Sequence, residues 1–381
     1  MTKRRIALTG GGSGGHTYAI LAIAEELKKQ AAQTGDEIDM RYYGDAKEYA
    51  LEFDAAGIRR HHITESKIRQ YFSPLNILDL FKFAWSIPQA LWKLFWFMPD
   101  VLCSKGGPGA FVVVLVSWYY RIPIVIHDSD AIPGRTTRWT ENMALKILLA
   151  FQSAAEYLTH KERVLIVGNP IRKTLTIEER ERTTEEKKLA RETLGYTTEK
   201  PLMLILGGSQ GATMLNNFVL ENIEKLTSKY QLLHQTGENN FREVNAVATE
   251  LMKNWSVEQK KSYQAIPFLQ ADMKRALLAA DLVIGRAGAG TIFEVAAAHI
   301  PAILVPITNS ANNHQQENAF QYEEAGACTV VEEENLFGDI VMTTIDSILG
   351  HPERKSAMMQ AAAHFAKPDA STIIAQAILN I

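Results

Sequence analysis

The chain carries the same apolar and polar pattern twice. Residues 4–30, RRIALTGGGSGGHTYAILAIAEELKKQ, run from an apolar stretch through a glycine-rich turn into a segment whose apolar residues recur at helical spacing. Residues 200–226, KPLMLILGGSQGATMLNNFVLENIEKL, repeat that order. Gly11, Gly12, Ser13 and Gly15 return as Gly207, Gly208, Ser209 and Gly211 at a constant offset of 196 residues. Short β-rich runs follow each copy, separated by helical stretches: EIDMRYYG, DVLCSK, PIVIHD and VLIVGN in the first half, YQLLHQTG, DLVIGRAG and PAILVPI in the second. Such alternation predicts parallel sheets covered by helices, and the repeat predicts an α/β chain of two doubly wound, Rossmann-like domains. Pro170 in VGNPIRK punctuates the chain. The expected division is therefore 1–168 and 169–366, with a last helix over 367–381 that crosses back to the first domain. The charged stretch 177–195 reads as a solvated helix opening the second domain, without chemistry of its own.

The 381 residues are enough for two full cores. At 46% hydrophobic and 22% charged, with a formal net charge of −3, the composition is that of a globular chain that does not bind nucleic acid in bulk. The two cysteines, Cys103 and Cys328, are too few and too far apart for a disulfide framework or a cysteine metal site. The basic start is followed by an apolar run too short for a secretion signal. Region 71–99, the longest hydrophobic stretch, is broken by Asp79, Lys82, Pro88 and Lys93 and cannot span a bilayer. A cytosolic protein is expected.

A glycine-rich loop entering a helix offers backbone N–H groups and the positive end of the helix dipole, so it suits phosphate. It is equally the shape of a tight strand-to-helix turn. Residues 10–15 fit G-x-G-x-x-G, which brings a dinucleotide-binding oxidoreductase into view. The acid expected about 20 residues on is poorly matched, because Asp45 lies 30 residues past Gly15. A ligand clasped between two domains, each with its own glycine loop, fits better. The second half adds Arg286, Gly288, Gly290 and Glu294 at a further strand-to-helix turn, then Gln315 and Asn318 on one helix face. A carboxylate suits ribose hydroxyls and amides suit sugar hydroxyls, so together they point to a nucleotide-sugar site. Taken singly, each is a helix cap or a surface amide.

The motifs GGGSGGH, SKGG, VGNPIR, GGSQGA with a following LN, RAGAGTIFEVAAAHIPAILVPI and HQQENA resemble, in order and spacing, the MurG family of N-acetylglucosaminyltransferases. The resemblance runs from about residue 5 to the final helix. It implies a GT-B fold with two domains facing across a cleft, UDP-N-acetylglucosamine as donor, and inversion at the anomeric carbon. It also implies a polyprenyl-diphosphate-linked muramoyl peptide as acceptor, no cofactor, and no metal in the active site. Carried over by position, Ser209 and Gln210 would contact the nucleotide, and Leu269 would offer backbone groups to uracil. Ala289, Gly290, Thr291, Ile292, Phe293 and Glu294 would line the diphosphate and ribose, with Gln315 and Asn318 reading the sugar. Arg172 would support the hinge and donor. Ser13, Gly14, Gly15 and His16 would face the anomeric centre and the acceptor pyrophosphate.

His16, at a helix start that favours neutral imidazole, is one candidate for the base; capping of its own helix is the other reading. Asp128 is the second candidate. The family usually carries His-Glu-Gln-Asn where this chain has His127, Asp128, Ser129 and Asp130, so Asp130 sets a carboxylate where an amide is usual, near a pyrophosphate. Residues 108–110, Pro-Gly-Ala, also replace an aromatic-led stretch. A lipid-linked acceptor requires a membrane surface. Phe81, Trp85, Trp92, Phe95 and Trp96, with Lys82 and Lys93 among them and Arg59, Arg60, Lys67 and Arg69 upstream, suit peripheral binding to anionic lipid on the cytoplasmic face of the cell membrane. Some of these aromatics must also serve the core. A GT-B transferase with another lipid or glycan acceptor, a UDP-sugar epimerase and an NAD(P)-dependent oxidoreductase are the competing readings.

Overall fold

A computed structural model describes residues 3–12, 14–46, 49–66, 75–175, 177–208, 211–269, 272–308 and 313–381. The chain divides into two compact units, one of residues 1–172 and 367–381, the other of residues 173–366.

The first unit is built on β1 (Lys3–Thr9), β2 (Glu37–Tyr43), β3 (Arg59–His61), β4 (Val101–Ser104), β5 (Ile124–Asp128), β6 (Lys146–Leu149) and β7 (Val164–Ile166). They form one parallel sheet in the order β3-β2-β1-β4-β5-β6-β7. Successive side chains leave a strand on opposite faces, and both faces are apolar. Ile6 and Leu8 pack under the helices Gly14–Thr34 and Ala370–Leu379. Ala7, Leu102 and Ile126 pack under Leu75–Phe97 and Ala110–Tyr119. The second unit repeats the plan with β8 (Leu202–Leu206), β9 (Gln231–Gln235), β10 (Tyr263–Ile266), β11 (Leu282–Gly285), β12 (Ala302–Leu304) and β13 (Cys328–Val330). Their order, β10-β9-β8-β11-β12-β13, is again parallel throughout. Leu202, Leu204 and Leu206 face one core, Met203 and Ile205 the other. In each sheet the order reverses beside the first strand, the place where doubly wound folds bind ligands at the carboxyl ends of their strands.

Two details differ from expectation. Residues 169–172, placed at the head of the second domain, stay with the first, where Asn169 Oδ1 accepts from Ser129 Oγ at 2.6 Å beside the Gly168 carbonyl that meets His127 Nε2 at 2.9 Å. The helix expected over 177–195 spans Thr184–Thr193, and it is not simply solvated: Arg191 is buried and its guanidinium binds Asp281.

Candidate active site

Part of the first glycine run serves packing. Gly107 has a positive φ of 90°, and a Cβ there would come within 2.8 Å of the Gly11 backbone. The loops after β1 and β4 therefore meet backbone to backbone, which glycine alone permits. His16 lies over that contact in the first turn of its helix, where a Cβ on Gly11 would come 2.9 Å from His16 Nδ1. The glycines thus make room for an imidazole. Gly12 and Gly15 are exposed, and a Cβ on Gly15 would meet nothing within 4 Å. Ser13, Ser209 and Gln210 lie outside the described residues, as do Lys67 and Arg69.

Beneath this surface lies a group that sequence reading passed over. Lys105, in the quoted SKGG, is 2% exposed. Its ammonium reaches His127 Nδ1 at 2.5 Å and donates to Ser129 Oγ. Because His127 Nε2–H donates to the Gly168 carbonyl, Nδ1 is the acceptor and the ring is neutral. Burial and the neighbouring Lys105 hold the His127 pKa far below its usual value. Burial also lowers Lys105 to about 8, against the pull of Asp128 and Asp130. Burial and then the charge of Asp130 raise the Asp128 pKa. Asp128 Oδ1 accepts from Asp130 N at 3.2 Å and Oδ2 from Gly134 N at 2.9 Å, so this carboxylate shapes the 128–134 loop from inside. Asp130 itself is half-buried and belongs to this first-unit loop. Arg172 also belongs to the first unit, its guanidinium carbon 4.6 Å from the Tyr18 ring centroid.

In the second unit the loops after β8, β10, β11 and β12 carry the remaining candidates. Gly211 has a φ of 84°, and a Cβ there would meet the Asn240 amide and the Thr236 carbonyl, which fixes glycine at the turn. Gln235, unmarked in the sequence reading, joins two loops: its Oε1 accepts from Leu269 N at 2.9 Å and its amide donates to the Gly208 carbonyl at 3.3 Å. Of the Leu269 backbone groups expected for uracil, the N–H is therefore already donated within the protein.

The helix Ala289–Ala298 starts behind Gly288 without a side-chain cap, so its first N–H groups and dipole suit an anion. Gly290, Thr291 and Glu294 stand on its half-exposed side, whereas Ala289, Ile292 and Phe293 are buried. Ile292 lies in the core and Phe293 packs on Phe365 with centroids 5.4 Å apart, so neither side chain lines a ligand. The reason is helical period: on a helix against a sheet, only about half the positions face outward. Asn318 is fully buried and its amide donates to the Ala287 carbonyl at 3.3 Å, which places it behind the loop. Gln315 Oε1 accepts from Ile307 N at 3.2 Å. Arg286 is strapped to the Val305 carbonyl and to Glu333, whose other oxygen accepts from Thr308 N at 2.9 Å. Glu333 too was unforeseen; it lies 47 residues from Arg286, a distance over which spacing carries no signal.

The exposed aromatic face falls on Leu75–Phe97. Phe81, Trp85, Trp92, Phe95 and Trp96 are 54–68% exposed. Among the described residues no helix is long and apolar enough to cross a membrane.

Residues 6–149 match the glycosyltransferase family 28 N-terminal domain and residues 202–374 its C-terminal domain. Both sets of strand-end loops lie within these segments. The chain is 32% identical over 352 residues, 92% of its length and 91% of the relative's, to a Bacillus cereus UDP-N-acetylglucosamine–N-acetylmuramyl-(pentapeptide) pyrophosphoryl-undecaprenol N-acetylglucosamine transferase. Its fold matches Acinetobacter baumannii MurG with a TM-score of 0.73 at 24% identity, covering 99% of this chain and all of the other. It also matches a Neisseria meningitidis UDP-GlcNAc 2-epimerase with a TM-score of 0.68 at 15% identity, over 99% of this chain and all of that one, so the architecture alone does not select the chemistry. The choice rests on sequence identity across both units: the chain belongs to the MurG family of glycosyltransferases.

Proposed function

We propose that this protein transfers N-acetylglucosamine from UDP-N-acetylglucosamine to a hydroxyl of a polyprenyl-diphosphate-linked muramoyl peptide, with inversion. The observation that carries this reading is the extended match to a relative so named, which embraces the loops of both units. The site chemistry supports it. His16 is half-buried in the first turn of its helix, over the Gly11–Gly107 contact, where a neutral imidazole can accept a proton. The acceptor oxygen bonds to the anomeric carbon and its proton passes to His16. The bond from that carbon to the diphosphate oxygen breaks, and the electron pair leaves with UDP. The uncapped start of Ala289–Ala298 neutralises the diphosphate, and Glu294 accepts from ribose hydroxyls. Asp128, buried and accepting from loop N–H groups, takes the role of positioning the 128–134 loop in this reading, which gives the base role to His16.

Membrane attachment belongs to the same reading. Positions 81, 85, 92 and 96 share one stripe of a helix with 3.6 residues per turn, and an exposed aromatic stripe suits the interfacial layer of a bilayer. A different lipid or glycan acceptor is the second reading, favoured by the Asp130 carboxylate beside Asp128.

The test is UDP release from UDP-N-acetylglucosamine with and without a short-chain lipid-linked muramoyl-peptide acceptor. Acceptor-dependent release is expected, with His16→Ala losing about a hundredfold or more in kcat and Asp128→Asn retaining its pH profile. Donor binding without acceptor-dependent release would transfer the argument to another acceptor. Conversion of the donor alone would favour an epimerase.

A further inference from the structure

At the opposite ends of the second sheet's strands, where β11 and β12 begin, a cavity of about 370 Å³ opens between the helices Thr184–Thr193, Met273–Ala279 and Pro352–Phe365. That volume lies within the range of small-molecule sites, about 300–1,000 Å³. Its lining includes the apolar Leu277, Ile300, Pro301 and Met359 and the charged Lys187, Asp281 and Lys355. Asp281 is 8% exposed and serves three cations at once: Lys187 Nζ at 2.8 Å, Lys355 Nζ at 2.8 Å and the buried guanidinium of Arg191. Its Oδ2 also accepts from Leu202 N at 2.9 Å. Three cations share one carboxylate, and a partly desolvated cluster with surplus positive charge is costly until an anion joins it. The rim is built in advance: Arg182 donates to the carbonyls of Ile177, Ala297 and Ala298 at 2.7–3.0 Å.

We propose that this cavity is a second ligand site for a small organic anion, with a phosphate or carboxylate head on Lys187 and Lys355 and an apolar body against Leu277, Ile300, Pro301 and Met359. The inference does not depend on the transferase reading, since the residues involved take no part in the strand-end loops.

Calorimetric titration of the full chain with phenyl phosphate, benzoate and inorganic phosphate, each in saturating UDP to fill any nucleotide site, tests it. Phenyl phosphate or benzoate is expected to saturate one site about tenfold more tightly than inorganic phosphate, the difference coming from the apolar lining. Lys355→Gln should weaken binding about tenfold. Met359→Glu, which leaves the Asp281 cluster intact and brings a like charge to the mouth, should abolish it while the thermal midpoint stays near wild type. Absence of saturable binding to the unaltered chain overturns the proposal, and so does binding that neither substitution affects. Inorganic phosphate binding as tightly as phenyl phosphate overturns the organic ligand. The preferred head group, phosphate or carboxylate, follows from phenyl phosphate against benzoate.

Discussion

Lys105 holds an ammonium where water does not reach, between a neutral His127 and the hydroxyl of Ser129, in reach of the Asp128 and Asp130 charges. Its folded pKa, lowered by burial to about 8, lies below the unfolded value of about 10.4. The unfolded chain therefore binds more protons between those limits, and stability linked to this group rises with pH across that window. Relative to Lys105→Met, which has no such proton, the unaltered protein should gain on the order of 1–3 kcal/mol between pH 8 and 10.5 in denaturant titrations. A constant difference would remove Lys105 from the account. Gly107 makes the companion case. Gly107→Ala brings a methyl onto the Gly11 backbone at a positive φ, so a loss on the order of 1–3 kcal/mol is expected, together with an altered His16 titration by NMR. A glycine run announces close approach, and that much was legible in the sequence. What approaches was not, because the Gly11–Gly107 contact joins loops whose glycines lie 96 positions apart and Lys105 differs from a surface lysine only by burial.

Elements were more readable than the faces they bury. Both strand–glycine–helix units and the parallel alternation follow from period and punctuation, and the sheets bear them out. The inward side of Ala289–Ala298 was not readable, since a mostly apolar helix such as AGTIFEVAAA does not say which residues meet the sheet. Ile292 and Phe293 go inward, and Gly290, Thr291 and Glu294 stay out. The helix Leu75–Phe97 is the opposite case, apolar on a face that packing leaves open. Trp85, Trp92 and Trp96 are 64–66% exposed, so a triple Trp→Ser variant should fold with an unchanged midpoint while its binding to vesicles with anionic lipid falls about tenfold or more. Co-sedimentation with anionic and zwitterionic vesicles measures this. Equal binding by variant and unaltered protein would assign the aromatic face another partner.

Both ends of the chain belong to one unit. Ala370–Leu379, the last helix, completes the first unit: Ile374 and Ile378 are fully buried against a core that includes Ile20, Ile23 and Leu27. The first core therefore cannot close until residues 367–381 arrive, although the second unit, residues 173–366, is continuous in sequence. The two units have separate cores, so a cavity in one should be felt there first. Ile374→Ala and Ile378→Ala each remove a buried side chain at a typical cost of about 2–5 kcal/mol, against a domain stability of about 5–15 kcal/mol. Together they should bring the first unit close to its threshold and leave the second unaffected. Hydrogen exchange read by mass spectrometry separates the outcomes. Faster exchange is expected in β1, β4 and β5, with β8 and β11 unchanged. Equal acceleration in both sheets would mean that the chain opens as one cooperative body. No acceleration in β1 would mean that the first core tolerates the loss of its closing helix contacts. The same experiment bears on the proposed mechanism: if only the first unit loosens, UDP-N-acetylglucosamine binding should persist while transfer declines, as expected if the proton passes to His16 seated over Gly11 and Gly107.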